Sequence, residues 1–177
     1  MNKQKIIKEV SVENPDQHWE YINVKGKRVL DLGCGDFGNA IILPYHSTLE
    51  YFLENEASFV LGVDFNNIDI ENLTNRVDLN KVKTLTMSIN NPQQIINLIE
   101  ENNIDVIKCD IEGAESALFD VPRENFRKVE EYYIETHGED LHTMCISKLT
   151  ECGYDIYAEI ILSHTGGVCK VLFAKRN

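Results

Sequence analysis

From residue 28 onward, short runs of aliphatic and β-branched residues alternate with stretches whose apolar positions recur at helical spacing. The short runs fall near 28–32, 59–64, 82–87, 104–109 and 130–136, and their near-continuous apolar character predicts strands buried on both faces. Helices are predicted near 38–55, 68–76, 92–102 and 139–151, with a further short helix starting at Gly113. In the helix near 92–102, Pro92 suits a first turn, because its missing amide donor has no partner there anyway. Ile95, Ile96, Leu98 and Ile99 give that helix an apolar side, and Asn102-Asn103 ends it. The helix near 139–151 stops at Gly153. Strands alternating with helices predict a parallel sheet covered on both faces.

The end of the chain breaks the alternation. Tyr154 to Leu162 and Val168 to Ala174 are strand-like, and Ser163-His164-Thr165-Gly166-Gly167 between them is too short for a helical crossover. The two strands must therefore be antiparallel. Residues 1–27 read as a polar leader with a helix or loop around Asp16 to Ile22, where Trp19 is a packing anchor, and residues 28–177 as one domain.

The first strand runs into Asp31-Leu32-Gly33-Cys34-Gly35-Asp36-Phe37-Gly38, and the second ends in Asp64. Glycines let a backbone turn tightly and approach a ligand closely, and a carboxylate ending the second strand can accept hydrogen bonds from both hydroxyls of a ribose. The spacing of Gly33, Gly35 and Gly38 also satisfies the dinucleotide fingerprint, which leaves an NAD(P)-dependent oxidoreductase on a Rossmann fold as an alternative. Asp31 and Asp36 make the loop acidic, a poor seat for a pyrophosphate and a better one for a cofactor carrying an amino group and a sulfonium. The order acid-x-Gly-x-Gly, with Asp31, Gly33 and Gly35 in place, resembles the first motif of Rossmann-like class I methyltransferases. That resemblance implies S-adenosylmethionine as cofactor. It also implies an α/β fold with a seven-stranded, mostly parallel sheet and a C-terminal antiparallel hairpin, which the run from Tyr154 to Ala174 matches. The expected cofactor-binding residues are Asp31, Gly33, Cys34, Gly35, Asp64, Ser88 and Asp110.

Composition narrows the partners. Lysine and arginine total 17 against 29 aspartates and glutamates, a net charge of -12, with no basic cluster to offset it. Long nucleic acids are expected to be repelled. The five cysteines include no C-x-x-C pair and read as reduced thiols of a cytoplasmic protein. No apolar run is long enough to cross a bilayer, so no membrane partner is expected. The oligomeric state is not legible in the sequence.

Ligands of a doubly wound sheet lie beyond the carboxyl ends of its strands. That rule brings Asp31 to Gly35, Asp64, the Met87-Ser88 region, Asp110 with Glu112, Glu135 with His137, and His164 to one rim. Asp110 and Glu112 are two residues apart, as are Glu135 and His137, so each pair projects to one side of an extended segment. Three carboxylates and an imidazole so placed can remove a proton from a hydroxyl, or hold a divalent metal ion that lowers the hydroxyl's pKa. Asp110, Glu135 and His137 are the expected catalytic residues. Glu115 also suits a helix start, and His142 is expected on the outer face of its helix with no role.

Lys108-x-Asp110-x-Glu112-Gly113-Ala114-Glu115 together with Glu135-x-His137 resembles the FkbM-type methyltransferase family. The resemblance implies methyl transfer to an oxygen, typically a hydroxyl of a sugar or other small metabolite, and hence a small-molecule acceptor with no nucleic-acid partner. A non-catalytic cofactor-binding protein that keeps the pocket is the alternative from a different class.

Overall fold

The computed structural model describes residues 6–11, 21–35, 47–66, 78–164 and 167–177, with the backbone alone for 6–11, 163–164 and 167–168. Trp19, Asp36, Gly38, the helix expected at 68–76, the first half of that expected at 38–55 and the His164 side chain lie outside what is described.

The strands are β1 (Ile6–Ser11), β2 (Arg28–Leu32), β3 (Phe59–Asp64), β4 (Val82–Thr86), β5 (Val106–Cys109), β6 (Glu131–Thr136), β7 (Tyr154–His164) and β8 (Gly167–Arg176). They form one sheet in the order β1-β7-β8-β6-β5-β2-β3-β4. All pairings are parallel except those of β8, which lies antiparallel between β6 and β7. The seven strands from Arg28 onward thus reproduce the expected mostly parallel sheet with its terminal hairpin. The eighth is new: Ile6–Ser11, inside the stretch read as a leader, pairs in parallel with Ala158 to Ser163. Its sequence, IIKEVS, offers two lysine- or glutamate-bearing positions and no turn signal, too short a pattern to separate from a polar tail.

The helices are α1 (Thr48–Glu54), α2 (Pro92–Asn102), α3 (Ser116–Phe119), α4 (Arg123–Phe126) and α5 (Glu139–Glu151). Helix α2 begins as its sequence predicts. Pro92 occupies the first turn, and the Asn91 side chain accepts from the Gln94 amide while Gln94 reaches back to the amide of Asn91. Asn103, at φ 49°, closes it in the left-handed conformation asparagine tolerates. The helix expected from Gly113 starts only at Ser116. Glu112 and Gly113 have φ of 44° and 97°, and two left-handed residues in succession cannot open a right-handed helix.

Alternating side chains divide the core. Leu30, Leu32, Leu61, Val63, Ile107, Cys109, Tyr132 and Ile134 meet α2, α3, α4 and α5 on one face of the sheet. Val29, Val60 and Val106 meet Leu49 and Phe52 of α1 on the other. His142 belongs to the first of these packing surfaces, contrary to its expected outward position. It shares a helical side with the buried Cys145 and Leu149, and is buried because the Thr136 hydroxyl (3.2 Å from Nδ1) and the Glu159 carboxylate (3.2 Å from Nε2) serve its ring. Among the described residues no helix is long and apolar enough to cross a membrane.

Candidate active site

Register places Gly62, Asp31, Lys108, Tyr133 and Phe173 in one row across the α1 face of the sheet. Two ions in that row are buried, and they are direct cross-strand neighbours. Lys108 Nζ lies 3.1 Å from Asp31 Oδ1 and donates to the Gly33 carbonyl at 2.5 Å, and the Thr48 hydroxyl donates to Asp31 Oδ2. Burial pulls the Lys108 ammonium down, but Asp31 and Asp110 outweigh it and its pKa ends above the ordinary lysine value. Burial raises the Asp31 carboxyl, with Lys108 and Thr48 opposing. Asp31, expected to bind cofactor, is thus fully buried and committed to the loop's scaffold: it fixes the lysine that in turn fixes the Gly33 carbonyl.

Two residues further along the strands is the rim, and there a cleft of about 560 Å³ opens. Gly33, Gly35, Asp64, Phe65, Met87, Ser88, Asp110, Ile111 and Glu112 are among the residues that line it, with Val63, Ile89 and Ala114 completing the apolar wall. Such a volume lies in the range of small-molecule sites, roughly 300–1,000 Å³. Asp64 ends β3 as expected, and its carboxylate also organises the loops, Oδ2 accepting the Gly35 amide and Oδ1 the Asn66 amide, both at 2.8 Å. Cys34 does not face the cleft. Its side chain packs in the core, 3.1 Å from where a Cβ on Gly62 would stand.

The two described loop glycines differ in what they do. A Cβ on Gly33 would sit 1.6 Å from the Asp110 carbonyl oxygen, whereas one on Gly35, at φ 81°, would meet nothing within 4 Å. Gly33 is required by backbone packing, and Gly35 leaves room for a ligand. Accordingly, Gly33→Val is expected to lower the midpoint of thermal unfolding, whereas Gly35→Val is expected to keep a folded sheet and lose cofactor binding. Calorimetry with S-adenosylmethionine beside a circular-dichroism melt separates the two effects.

Beyond Asp110 lies a second cavity of about 470 Å³ lined by Asp110, Glu112, Gly113, Glu135 and His137. Asp110, Glu135 and His137 offer ligand atoms within 4.8 Å of one another. His137 Nε2 stands 3.8 Å from Asp110 Oδ1 and 3.7 Å from Glu135 Oε1. The carboxylate on Nδ1 belongs to Glu115, at 2.8 Å, and the expected third carboxylate, Glu112, is an exposed left-handed residue that borders the cavity. Burial pulls the His137 ring down, but Glu115, Asp110 and Glu135 together carry its pKa above the ordinary 6.5. Burial and the charge of Asp110 raise the Glu135 carboxyl, whose Oε1 accepts from the Cys169 thiol at 2.9 Å. Sequence reasoning missed Phe65, Asn66 and Asn90 in the cleft wall. Phe65, 70% exposed at the mouth, carries the one legible signal, an aromatic directly after the strand-ending acid.

The sequence profile of the methyltransferase domain matches residues 23–148. A search of curated protein sequences gives no match. Among solved structures, a protein of the NADB-Rossmann superfamily from Streptococcus agalactiae is 19% identical, with a TM-score of 0.61 over 89% of this chain and 65% of that one. TrmK of M. capricolum, solved with S-adenosyl-homocysteine, is 14% identical at a TM-score of 0.65, covering 95% and 69%. The m1A22 tRNA methyltransferase TrmK of B. subtilis is 15% identical at 0.58, covering 91% and 64%. The chain spans just under two thirds of the S. agalactiae and B. subtilis proteins. These likenesses overturn the expectation of a small-molecule acceptor with no nucleic-acid partner, because a protein of this fold in B. subtilis acts on tRNA. The physical reason is that net charge sets long-range attraction, whereas contact is made by a local surface. The cleft suits S-adenosylmethionine, with open space over Gly35, apolar walls and a carboxylate ending the second strand of the nucleotide-binding half. From the matched profile, the sheet order and this cleft together, the chain belongs to the methyltransferase domain family and uses S-adenosylmethionine as its cofactor.

Proposed function

We propose that the chain methylates a hydroxyl oxygen of an acceptor held in the cavity of Asp110, Glu135 and His137, with His137 removing the proton. The observation that carries this reading is that His137 Nε2 stands 3.8 Å from Asp110, which lines both chambers. The FkbM-type run supports it, since its members occupy distinct stations: Lys108 under the glycine loop, Asp110 between the chambers, Glu115 and His137 in contact. All five cysteines are free and buried, which supports a reducing, cytoplasmic setting.

S-adenosylmethionine, when bound, supplies an electrophilic methyl group on a sulfonium. Asp64 would hold the ribose hydroxyls, Phe65, Met87 and Ile89 would cover the base, and Gly35 and Ser88 would line the remainder of the cleft. The protein's remaining tasks are to orient the hydroxyl and accept its proton. His137 does the second through Nε2. Asp110 and Glu135 flank that nitrogen, where they stabilise the imidazolium that forms. The base works in its neutral form, so the rate is expected to rise with pH through a midpoint above the ordinary 6.5 of histidine.

A second reading, methylation of an RNA base nitrogen, is favoured by the fold shared with the tRNA methyltransferase of B. subtilis. Incubation with methyl-labelled S-adenosylmethionine and either total tRNA or hydroxyl-bearing compounds, followed by mass spectrometry of the product, tests both. A methyl ether supports the hydroxyl reading, and label on a base nitrogen overturns it. For the cofactor, Asp64→Ala should weaken S-adenosylmethionine binding by about two orders of magnitude or more, two charge-assisted hydrogen bonds at roughly 1.5–3 kcal/mol each being lost. Unchanged affinity by calorimetry in a folded variant would remove Asp64 from the site.

A further inference from the structure

We infer that Glu115 is a positioning residue: its buried carboxylate holds His137 in the tautomer whose Nε2 carries the lone pair, and ties that ring to the turn dividing the two chambers. The inference rests on the reading of His137 as base.

Glu115 is wholly buried, and each of its oxygens has its own partner. Oε1 lies 2.8 Å from His137 Nδ1, and Oε2 accepts the Gly113 amide at 2.7 Å. A carboxylate oxygen accepts, so the 2.8 Å pairing calls for a proton on Nδ1, and in a neutral imidazole the lone pair is then on Nε2. That nitrogen looks toward Asp110 and Glu135 at 3.8 and 3.7 Å, beyond hydrogen-bond reach, and is left for an acceptor. A helix-capping role does not account for the carboxylate. Although Glu115 stands at the N-cap of α3, its side chain makes no capping bond, and α3 is only four residues long.

The second bond explains the strained turn before it. Glu112 and Gly113 are both left-handed, and Glu115 Oε2 holds the Gly113 amide within that turn. Glu112 lines the cofactor cleft and the acceptor cavity alike. One carboxylate therefore references the position of the base to the floor of the cofactor cleft. The charged groups facing His137 come from three places: Glu115 before α3, Asp110 after β5 and Glu135 on β6. Lys108 on β5 and Cys169 on β8 reach it only through Asp110 and Glu135, and Glu112 borders the same cavity.

Histidine-selective 15N spectra of the protein saturated with S-adenosyl-homocysteine test this without any acceptor, with His137→Gln assigning the signal. The expected result is a neutral ring protonated at Nδ1 and bare at Nε2, titrating above the ordinary histidine value. In Glu115→Gln the midpoint moves down, because the charge that favours the imidazolium is gone. S-adenosyl-homocysteine affinity should stay at the wild-type level, and kcat on any acceptor that turns over should fall on the order of 10²-fold from the misplaced ring. Glu115→Asp, which keeps the charge, should bring the midpoint back toward wild type. A wild-type ring protonated at Nε2, or a Glu115→Gln titration superimposable on wild type, overturns the inference. Should Glu115→Gln fail to fold, the wild-type tautomer alone decides. If the tautomer and its dependence on Glu115 are as expected but His137→Gln methylates as fast as wild type, the positioning stands and only the assignment of the base falls.

Discussion

Replacing His137 by alanine is expected to lower the rate of methyl transfer by roughly 10² to 10⁴, the usual range for loss of a general base. Nε2 stands 3.8 Å from Asp110, which lines both chambers, and an imidazole is a stronger base than an ordinary carboxylate. S-adenosylmethionine affinity should be unchanged, because His137 lines the acceptor cavity and not the cofactor cleft. Steady-state rates beside calorimetry check both halves of the expectation. The wild-type rate should be insensitive to chelators. Loss of activity in chelator with recovery in magnesium or manganese would instead assign the activation of the hydroxyl to a divalent ion on Asp110, Glu135 and His137.

Lys108→Met should destabilise the fold by about 3–5 kcal/mol, the range for removing one partner of a buried ion pair. Asp31 would be left without its cation in the middle of the sheet, and the Gly33 carbonyl would lose its donor. Urea unfolding followed by circular dichroism measures the loss. Adding Asp31→Asn to Lys108→Met should recover part of it, since the second change removes the uncompensated charge. A Lys108→Met protein as stable as wild type would mean that the pair contributes nothing beyond the packing of the lysine stem.

Most of the sheet was legible because strand and helix periods differ and because glycine, proline and asparagine mark the ends of elements. Pro92, Asn103 and Gly153 each stand where a helix begins or stops, for reasons local to those residues. β1 was not legible, since a six-residue edge strand takes its stability from β7 and carries little pattern of its own. The rim residues Asp64, Asp110, Glu135 and His137 were found by the rule that ligands lie beyond strand ends. Asp31 and Glu115 show the limit of that rule. Sequence distance puts both near the site, but only register and burial reveal that Asp31 faces Lys108 inside the sheet and that Glu115, not Glu112, reaches His137. His142 was misread because periodicity treats histidine as polar, while Thr136 and Glu159, which make its burial tolerable, lie on other strands.

The place of β8 bears on how the chain acquires its structure during synthesis. β6 and β7 are joined in the sheet only through β8, which is translated after both and bonds to each. β1 precedes every other described strand along the chain, yet its sheet partner is β7, which is made only after β6. Five of the eight strands, β2 to β6, can form vectorially, while β1, β7 and β8 assemble only once β8 has been made. Until then the open edge of β6 is an exposed template for pairing with another strand.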